Sequence, residues 1–321
     1  MKAAALVLAV AAIAATASGC GFGPGESSPG EATLRVTREF GTVPMVEANL
    51  EDPTESDTVV RFLDDVAEIE TSYGDNFVDS IGGFAGSTAG GEDDWFFFVN
   101  GYWSDIGSGE RPVLPGDRIW WDYRYWQTAY RVPAVVGSWP EPFLHGEHRD
   151  GAAAPPTIVQ CLTAREDCDE VSGALAAAGV DARLVDLAEP REEPDALRVL
   201  VGPWDALRGD PAARAVESGP GESGVYATIG RCRDELALTI EDDHGRPAER
   251  LADAGLIAAV RRGDDQPTWL ITGTDAPAAG VAAAALGSGV LRDRYAVAFG
   301  DGRVLPVPAA AAADEAEGGC P

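Results

Sequence analysis

The chain of 321 residues carries 53 acidic against 24 basic side chains, which gives a formal net charge of −29. A surface this negative disfavours nucleic acid and anionic lipid head groups as partners, because binding to phosphate needs a positive field. The acidic residues are spread along the chain, which is typical of a solubilising surface. The length predicts two domains.

The N-terminus has the pattern of a secretory signal peptide, predicted at residues 1–19. Lys2 is followed by an apolar run that is too short to span a bilayer. The segment Ala17-Ser18-Gly19-Cys20 resembles the bacterial lipobox, in which a cysteine after two small residues is diacylated. This resemblance implies lipidation of Cys20, by chains such as palmitate, on the extracytoplasmic face of the cell membrane. Cleavage without lipidation is the alternative, because Ala17 replaces the commoner leucine.

Composition divides the rest of the chain into five parts. Residues 20–31 are rich in Gly, Pro and Ser, and are predicted to form a lipid-anchored flexible linker. A first domain over residues 32–135 is followed by a Pro/Gly linker at residues 136–156. A second domain covers residues 157–308, and residues 309–321 form a low-complexity tail rich in Ala.

The hydrophobic pattern of the first domain predicts a hairpin, a helix and further strands. Residues 34–40 alternate as in an opening strand, and residues 45–48 would form its partner. Thr58 to Glu70 has apolar residues at helical spacing, with Asp57 as the N-cap. Further strands are predicted at residues 76–78, 95–100, 119–125 and 130–135. This order of elements is the one that a β-grasp fold needs.

Residues 95–126 crowd aromatic side chains into two predicted strands. One face of the second strand would carry Ile119, Trp121, Tyr123 and Tyr125, and the other Trp120, Asp122, Arg124 and Trp126. A half-buried strand normally has one polar face, so clustered aromatic rings on both faces indicate a binding surface. In the alternative, a helix covers one face and the second half of the chain covers the other.

A family resemblance rests on the same segment. The sequence WFFFVNG at residues 95–101, followed by PGDRIWWDY at residues 115–123, resembles the bacterial transcobalamin-like C-terminal domain family over residues 32–132. The resemblance implies a β-grasp-like fold and, by analogy with vitamin B12 carriers, a surface facing a corrinoid. The two turn motifs also have a structural explanation, since glycine allows the backbone angles of tight turns. The expected ligand-binding residues are Trp95, Asn100, Tyr102, Trp103, Trp120, Tyr123 and Trp126.

The second domain alternates strands with helices, which predicts an α/β domain with a mixed sheet and an α+β fold class for the whole chain. Its predicted strands are residues 157–161, 182–187, 197–201, 225–229, 236–240, 269–272, 295–299 and 304–307. Its predicted helices are residues 169–178, 211–217 and 277–286.

Four cysteines remain besides Cys20, and outside the cytoplasm an even number predicts disulfides. Cys161 ends a strand and Cys168 precedes a helix, so we favour a Cys161–Cys168 bond and, by default, Cys232–Cys320. Metal binding by these thiols is disfavoured, because C-x6-C is not a zinc spacing.

The candidates for catalysis and metal binding are weak. Ser223 lies in a Gly-rich turn that departs from a nucleophile elbow at Val225, although His244 could in principle be its base. His145 and His148 have no third ligand nearby in sequence, and Glu92-Asp93-Asp94 lacks the spacing of a calcium loop. We therefore predict no enzyme activity, no metal and no cofactor.

A second weak candidate is the segment from Thr272 to Asp275, which lies between a strand and a helix. Backbone N–H groups at such a place could bind an anion. Capping of the helix by Thr274 or Asp275 is the favoured explanation.

The leading hypothesis is a lipoprotein that binds a small planar or cyclic solute, such as a corrinoid, and delivers it to a membrane transporter. The alternative is a non-catalytic cell-envelope scaffold, whose aromatic surface contacts the second domain or a partner protein.

Overall fold

The computed structural model describes residues 25–87, 90–147, 153–233 and 235–310. The predicted signal peptide, Cys20 and the tail beyond residue 310, which includes Cys320, lie outside these ranges. Within them, no helix is both long and apolar enough to cross a membrane.

In its described part, the N-terminal region contains eight strands and one helix. Five of the strands form one sheet in the order β2-β1-β8-β6-β7, and β3, β4 and β5 form a small second sheet. The central pair β1 and β8 is parallel, whereas β2 and β6 run antiparallel to their neighbours. The bounds are β1 (Glu31–Arg38), β2 (Val43–Glu51), α1 (Val59–Val66), β3 (Ile69–Ser72), β4 (Phe77–Ile81), β5 (Phe84–Ala85), β6 (Asp93–Val99), β7 (Tyr102–Trp103) and β8 (Arg118–Tyr125).

The helix α1 is present but shorter than the sequence pattern predicts. Its buried stripe includes Val59, Phe62 and Leu63. The backbone turns extended at Ala67, and Ile69 then begins β3, so the last apolar position of the predicted stripe belongs to a strand. The prediction of Asp57 as N-cap is wrong, because its carboxylate accepts a bond from the Thr54 N–H in the preceding turn.

The C-terminal region is built on a seven-stranded sheet in the order β10-β9-β11-β16-β15-β17-β18. The four strands β10, β9, β11 and β16 are parallel to one another. The pairs β16–β15, β15–β17 and β17–β18 are antiparallel. A separate sheet contains β12, β13 and β14. The strands are β9 (Thr157–Cys161), β10 (Ala182–Asp186), β11 (Leu197–Pro203), β12 (Ala227–Cys232), β13 (Glu235–Glu241), β14 (Pro247–Leu251), β15 (Gly255–Val260), β16 (Thr268–Gly273), β17 (Ala296–Gly300) and β18 (Arg303–Val307).

The helices divide between the two faces of this large sheet. They are α2 (Arg165–Ala177), α3 (Trp204–Leu207), α4 (Pro211–Glu217), α5 (Pro220–Ser223) and α6 (Ala276–Ala285). One core contains α2 and α6 residues such as Leu175 and Ala282, packed with Val199 and Ile257. The other core joins α3, α4 and the β12–β14 sheet to Trp120 of the N-terminal sheet. The mixture of strands and helices confirms the α+β class.

Residues 136–147 of the predicted Pro/Gly linker are folded against the C-terminal sheet. Val136 and Phe143 are buried, and the Trp139 and Phe143 rings pack against Trp269. The strand predicted at residues 130–135 is wrong, because this segment contributes only a single bridge between Tyr102 and Ala134 within the described residues.

The predicted Cys161–Cys168 disulfide is confirmed. It joins the end of β9 to the first turns of α2, with the two Cα atoms 5.8 Å apart. The Cys232–Cys320 pair falls outside the described side chains and stays a prediction.

Candidate functional site

The face of β8 that carries Trp120 lies against the C-terminal domain. Trp120 is fully buried, and its ring lies 5.3 Å from the Tyr295 ring, edge to face. A Cβ atom on Gly137 would lie 2.7 Å from the indole, so the backbone itself closes over the ring. The expectation of an uncovered Trp120 is therefore corrected: the second half of the chain covers this face.

Buried hydrogen bonds accompany this packing. The Trp120 indole N–H donates to Thr37 Oγ1 at 2.8 Å, and the Thr37 hydroxyl donates to Asp122 Oδ1 at 2.5 Å. The Gly41 N–H also donates to Asp122, as does the Tyr295 hydroxyl of the other domain at 3.0 Å. Burial nevertheless raises the pKa of Asp122 to about 6, because the loss of water outweighs these bonds.

The opposite face of the N-terminal sheet is covered by α1 and the small β3–β5 sheet. Trp95 is buried there, where its indole N–H donates to the Phe84 carbonyl at 2.8 Å. The half-buried Tyr123 lies 5.0 Å from the Trp95 ring, and its hydroxyl donates to the Ala85 carbonyl. Both side chains therefore hold β5 against the main sheet, and Trp95 offers no open ring face.

Asn100 and Tyr102 are buried at the turn that follows β6. Asn100 adopts a positive φ of 54°, its side-chain Nδ2 donates to Asp117 Oδ1 at 3.0 Å, and its side-chain Oδ1 accepts from the Arg118 N–H. The Tyr102 hydroxyl donates to Gln266 Oε1 of the C-terminal domain at 2.7 Å. Burial raises the pKa of Tyr102. Both residues have structural roles at the domain boundary.

Three aromatic side chains remain accessible at the edge of the interface, and we name them the aromatic rim: Trp103, Trp126 and Tyr130. Trp103 and Trp126 are half-buried, and Tyr130 is 56% exposed. The Tyr130 ring contacts both indoles edge to face, with centroids 6.1 Å from Trp103 and 5.9 Å from Trp126. Of the expected ligand-binding residues, Trp103 and Trp126 at the rim, and the half-buried Tyr123 beside β5, thus keep accessible surface.

The buried Arg124 fixes the segment at residues 125–130, which carries Trp126 and Tyr130 of the rim. The Arg124 guanidinium lies 4.0 Å over the Phe96 ring and donates to the carbonyls of Tyr125, Ala129 and Tyr130 at 2.9–3.1 Å. Because these bonds tie residues 125–130 to the end of β8, the rim has a defined position rather than that of a free loop.

Trp103 of the rim lines a cleft between the two domains, which we name the domain cleft. Its volume is about 470 Å³. One wall comes from the N-terminal region and the other from α5 and the loop between β15 and β16. The lining residues are Trp103, Asp105, Arg131, Pro133, Gly221, Glu222, Arg261, Arg262, Gly263 and Asp264.

Arginine side chains give the domain cleft its main polar groups. Arg131 lies over the Trp103 ring, 5.3 Å from its centroid. Arg261 lies 5.1 Å over Tyr102, faces Glu147 at 3.4 Å and donates to the Asp265 carbonyl. Sequence reasoning missed these residues. The adjacent pair Arg261-Arg262 in so acidic a chain is the signal that could have found them.

Ser223 and His244 do not form a catalytic pair. The Ser223 side chain is buried, donates to the Gly219 carbonyl at 3.0 Å and accepts from the Val225 N–H. His244 pairs instead with Asp243 at 2.7 Å, and its ring stacks on Tyr125 at 4.2 Å. Ser223 is thus used to close the turn after α5.

Two acidic segments meet at another corner of the interface. Ligand atoms of Asp242, Asp243 and His244 lie within 4.8 Å of one another. However, the Asp242 oxygens already accept bonds from Arg246 and from the His244 N–H, so they shape the β13–β14 turn. Burial, and next the charges of Asp243 and Glu92, raise the pKa of Asp93.

The remaining motifs have local structural roles. Asp275 caps α6 by accepting from the Ala278 N–H at 2.8 Å, as the capping explanation predicts. His145 pairs with the buried Glu141 at 2.6 Å, which raises the pKa of its imidazole. His148 lies outside the described residues.

Comparisons with known proteins give two findings. Residues 56–125, from the turn before α1 to the end of β8, match a family described as a domain of unknown function, DUF4430. Among solved structures, the comparison finds a crystal structure from Ruminococcus gnavus described as a "putative metal binding protein", with 14% identity over 30% of this chain and 97% of that chain, and a TM-score of 0.24. No curated protein matches the sequence.

Proposed function

We propose that this chain is a non-enzymatic, lipid-anchored solute-binding protein on the extracytoplasmic face of the cell membrane, with its site in the domain cleft. The observation that carries the proposal is the cleft of about 470 Å³ between two domains, which is lined by Trp103 of the aromatic rim. Clefts of this size at domain boundaries are typical of small-molecule sites. The pattern around Cys20 supports the anchor, and a membrane transporter is the proposed recipient of the solute.

The proposal includes a transcobalamin-like, β-grasp-like N-terminal domain. The strand order β2-β1-β8-β6-β7, with a parallel central pair and α1 packed on one face, supports it. A corrinoid would have to contact Trp103, Trp126 and Tyr130, since Trp95 and Trp120 offer it no surface. The proposal that the solute is a corrinoid therefore depends on the aromatic rim alone.

The test is a titration of the purified protein with cobalamin, riboflavin and phenylalanine, followed by tryptophan fluorescence and calorimetry. Each aromatic contact contributes about 0.5–1.5 kcal/mol beyond burial of area, so Trp103→Ala should weaken binding about two- to twelvefold. Trp95→Phe is the matched control, because its ring lies under the small β3–β5 sheet, and it should leave affinity unchanged. Absence of binding by all three solutes at millimolar concentration would overturn the proposal.

A second candidate is a cell-envelope scaffold. The observation in its favour is that Phe98 and Trp120 pack against the C-terminal domain, so contacts between the domains account for these aromatic rings without a ligand. In that case rim substitutions would change binding to an envelope partner, measured by cross-linking in cells, and would leave solute titrations flat.

A further inference from the structure

Four charged side chains around the domain cleft form no ion pair with any described residue: Arg131, Arg262, Glu222 and Asp264. The other two charged lining residues differ. Arg261 forms an ion pair with Glu147, with N–O distances of 3.4 and 3.5 Å, and Asp105 also interacts with other groups of the protein. The cleft therefore presents two cationic and two anionic groups that are available to a ligand.

The cationic groups are suited to a carboxylate. The Arg131 guanidinium carbon lies over the Trp103 ring, 5.3 Å from the ring centroid. Since Arg131 forms no ion pair with a described residue, its guanidinium can use its fork of N–H groups to bind the two oxygens of a carboxylate. Arg262 projects from the other wall of the same cleft.

The anionic groups are suited to an ammonium. Glu222 lies on α5, and Asp264 lies in the loop between β15 and β16. Both are exposed at the wall that also carries Arg262. A ligand with only negative charge is repelled by the two carboxylates, and a ligand with only positive charge is repelled by the two arginines. The lining therefore favours a ligand that carries both charges.

We propose that the domain cleft binds a small zwitterion of the amino-acid type, with its carboxylate at Arg131 and Arg262 and its ammonium at Glu222 and Asp264. A flat or apolar side chain of the ligand contacts Trp103. This inference rests on the proposed function, because it names the class of solute for the same cleft. The volume of about 470 Å³ accommodates a molecule of this size.

The experiment compares three ligands that share one ring. Phenylalanine carries both charges, N-acetylphenylalanine carries only the carboxylate, and phenylalanine amide carries only the ammonium. Calorimetry on the full chain should give a dissociation constant for phenylalanine at least tenfold lower than for either of the others. Equal affinity for N-acetylphenylalanine, or for the amide, would overturn the proposal.

Charge variants separate the two ends of the ligand. Arg131→Gln should weaken phenylalanine and N-acetylphenylalanine about tenfold and leave the amide unchanged, whereas Glu222→Gln should weaken phenylalanine and the amide. Arg165→Gln is the matched control, since Arg165 pairs with Asp169 and Asp186 on α2 and β10, outside the cleft lining. Equal effects of Arg131→Gln on all three ligands would contradict the assignment.

The outcomes distinguish this inference from the proposed function. If cobalamin or riboflavin binds with dependence on Trp103 while phenylalanine does not, the zwitterion inference fails and solute binding stands. If no solute binds, both fail. Circular dichroism and thermal unfolding of the three charge variants should match the unmodified protein, because Arg131, Arg165 and Glu222 are exposed.

Discussion

The Tyr295 hydroxyl donates a hydrogen bond to Asp122 Oδ2 at 3.0 Å and so connects the residue before β17 to the centre of the N-terminal sheet. Both side chains are buried, and burial raises the pKa of Tyr295 well above its usual range. Because Asp122 also accepts from Thr37 and Gly41, one carboxylate joins three segments across the interface. The interface is therefore specified by polar contacts as well as by aromatic packing.

Asp122 should make the stability of the protein depend on pH. Its folded pKa of about 6 lies above the unfolded value near 3.8, so the folded state holds more protons between these values and stability falls as pH rises through the window. The loss approaches about 3 kcal/mol, at 1.36 kcal/mol for each unit of pKa difference. Asp122→Asn should remove this part of the slope in urea unfolding measured from pH 4 to pH 7. Identical slopes for the two proteins would show that Asp122 does not titrate in the window.

Trp120 should be a major source of stability for the assembled domains. Trp120→Ala leaves a cavity among Phe98, Tyr295 and Gly137 and removes the donor to Thr37. We expect a loss of about 3–5 kcal/mol in the free energy of unfolding, measured by chemical denaturation. Trp126→Ala, at the half-buried rim, is the control and should cost clearly less. Similar losses for the two variants would argue against an interface that depends on Trp120.

Much of the local structure could be predicted from the sequence. The strand β1 and the helix α1 follow from periodicity, because each buries one face. The strands β6 and β8 are buried on both faces and follow instead from their aromatic residues, which favour strands. The 161–168 disulfide follows from a strand-to-helix loop that brings two cysteines together. By contrast, β15, with the sequence GLIAAV, escaped prediction because its Gly and Ala residues have low strand propensity, although all six positions are buried.

The position of the candidate site could not be predicted, because it depends on which surface covers each ring. Alternation places Trp120 and Trp126 on one face, yet Trp120 is sealed by Gly137 and Tyr295 while Trp126 stays at the edge. The cleft joins residues far apart in sequence, such as Arg131 and Asp264. No local pattern encodes that proximity, because packing of the two domains creates it.

The disulfide should stabilise the C-terminal domain by lowering the conformational entropy of the unfolded chain. The bond closes a short loop, since its cysteines are 7 positions apart. Loop-closure entropy for this length gives about 2.5 kcal/mol at 25 °C. The double variant Cys161→Ala, Cys168→Ala should lose about that much in urea unfolding, and the reduced native protein should behave alike. A loss well below 1 kcal/mol in both would mean that the bond constrains little.

Arg124 should position the aromatic rim. In Arg124→Met the carbonyls of Ala129 and Tyr130 lose their donors, while the side chain keeps a similar length, so we expect a loss of about 1–3 kcal/mol in stability. Hydrogen exchange should become faster at the amides of residues 126–133, and solute affinity at Trp103 should fall because the rim loses its fixed position. Arg131→Met serves as the control: it removes an exposed guanidinium, so it should weaken the solute while amide exchange stays unchanged. Unchanged exchange in Arg124→Met would mean that the rim holds its place without the buried arginine, and that preorganisation of the cleft comes from the domain interface instead.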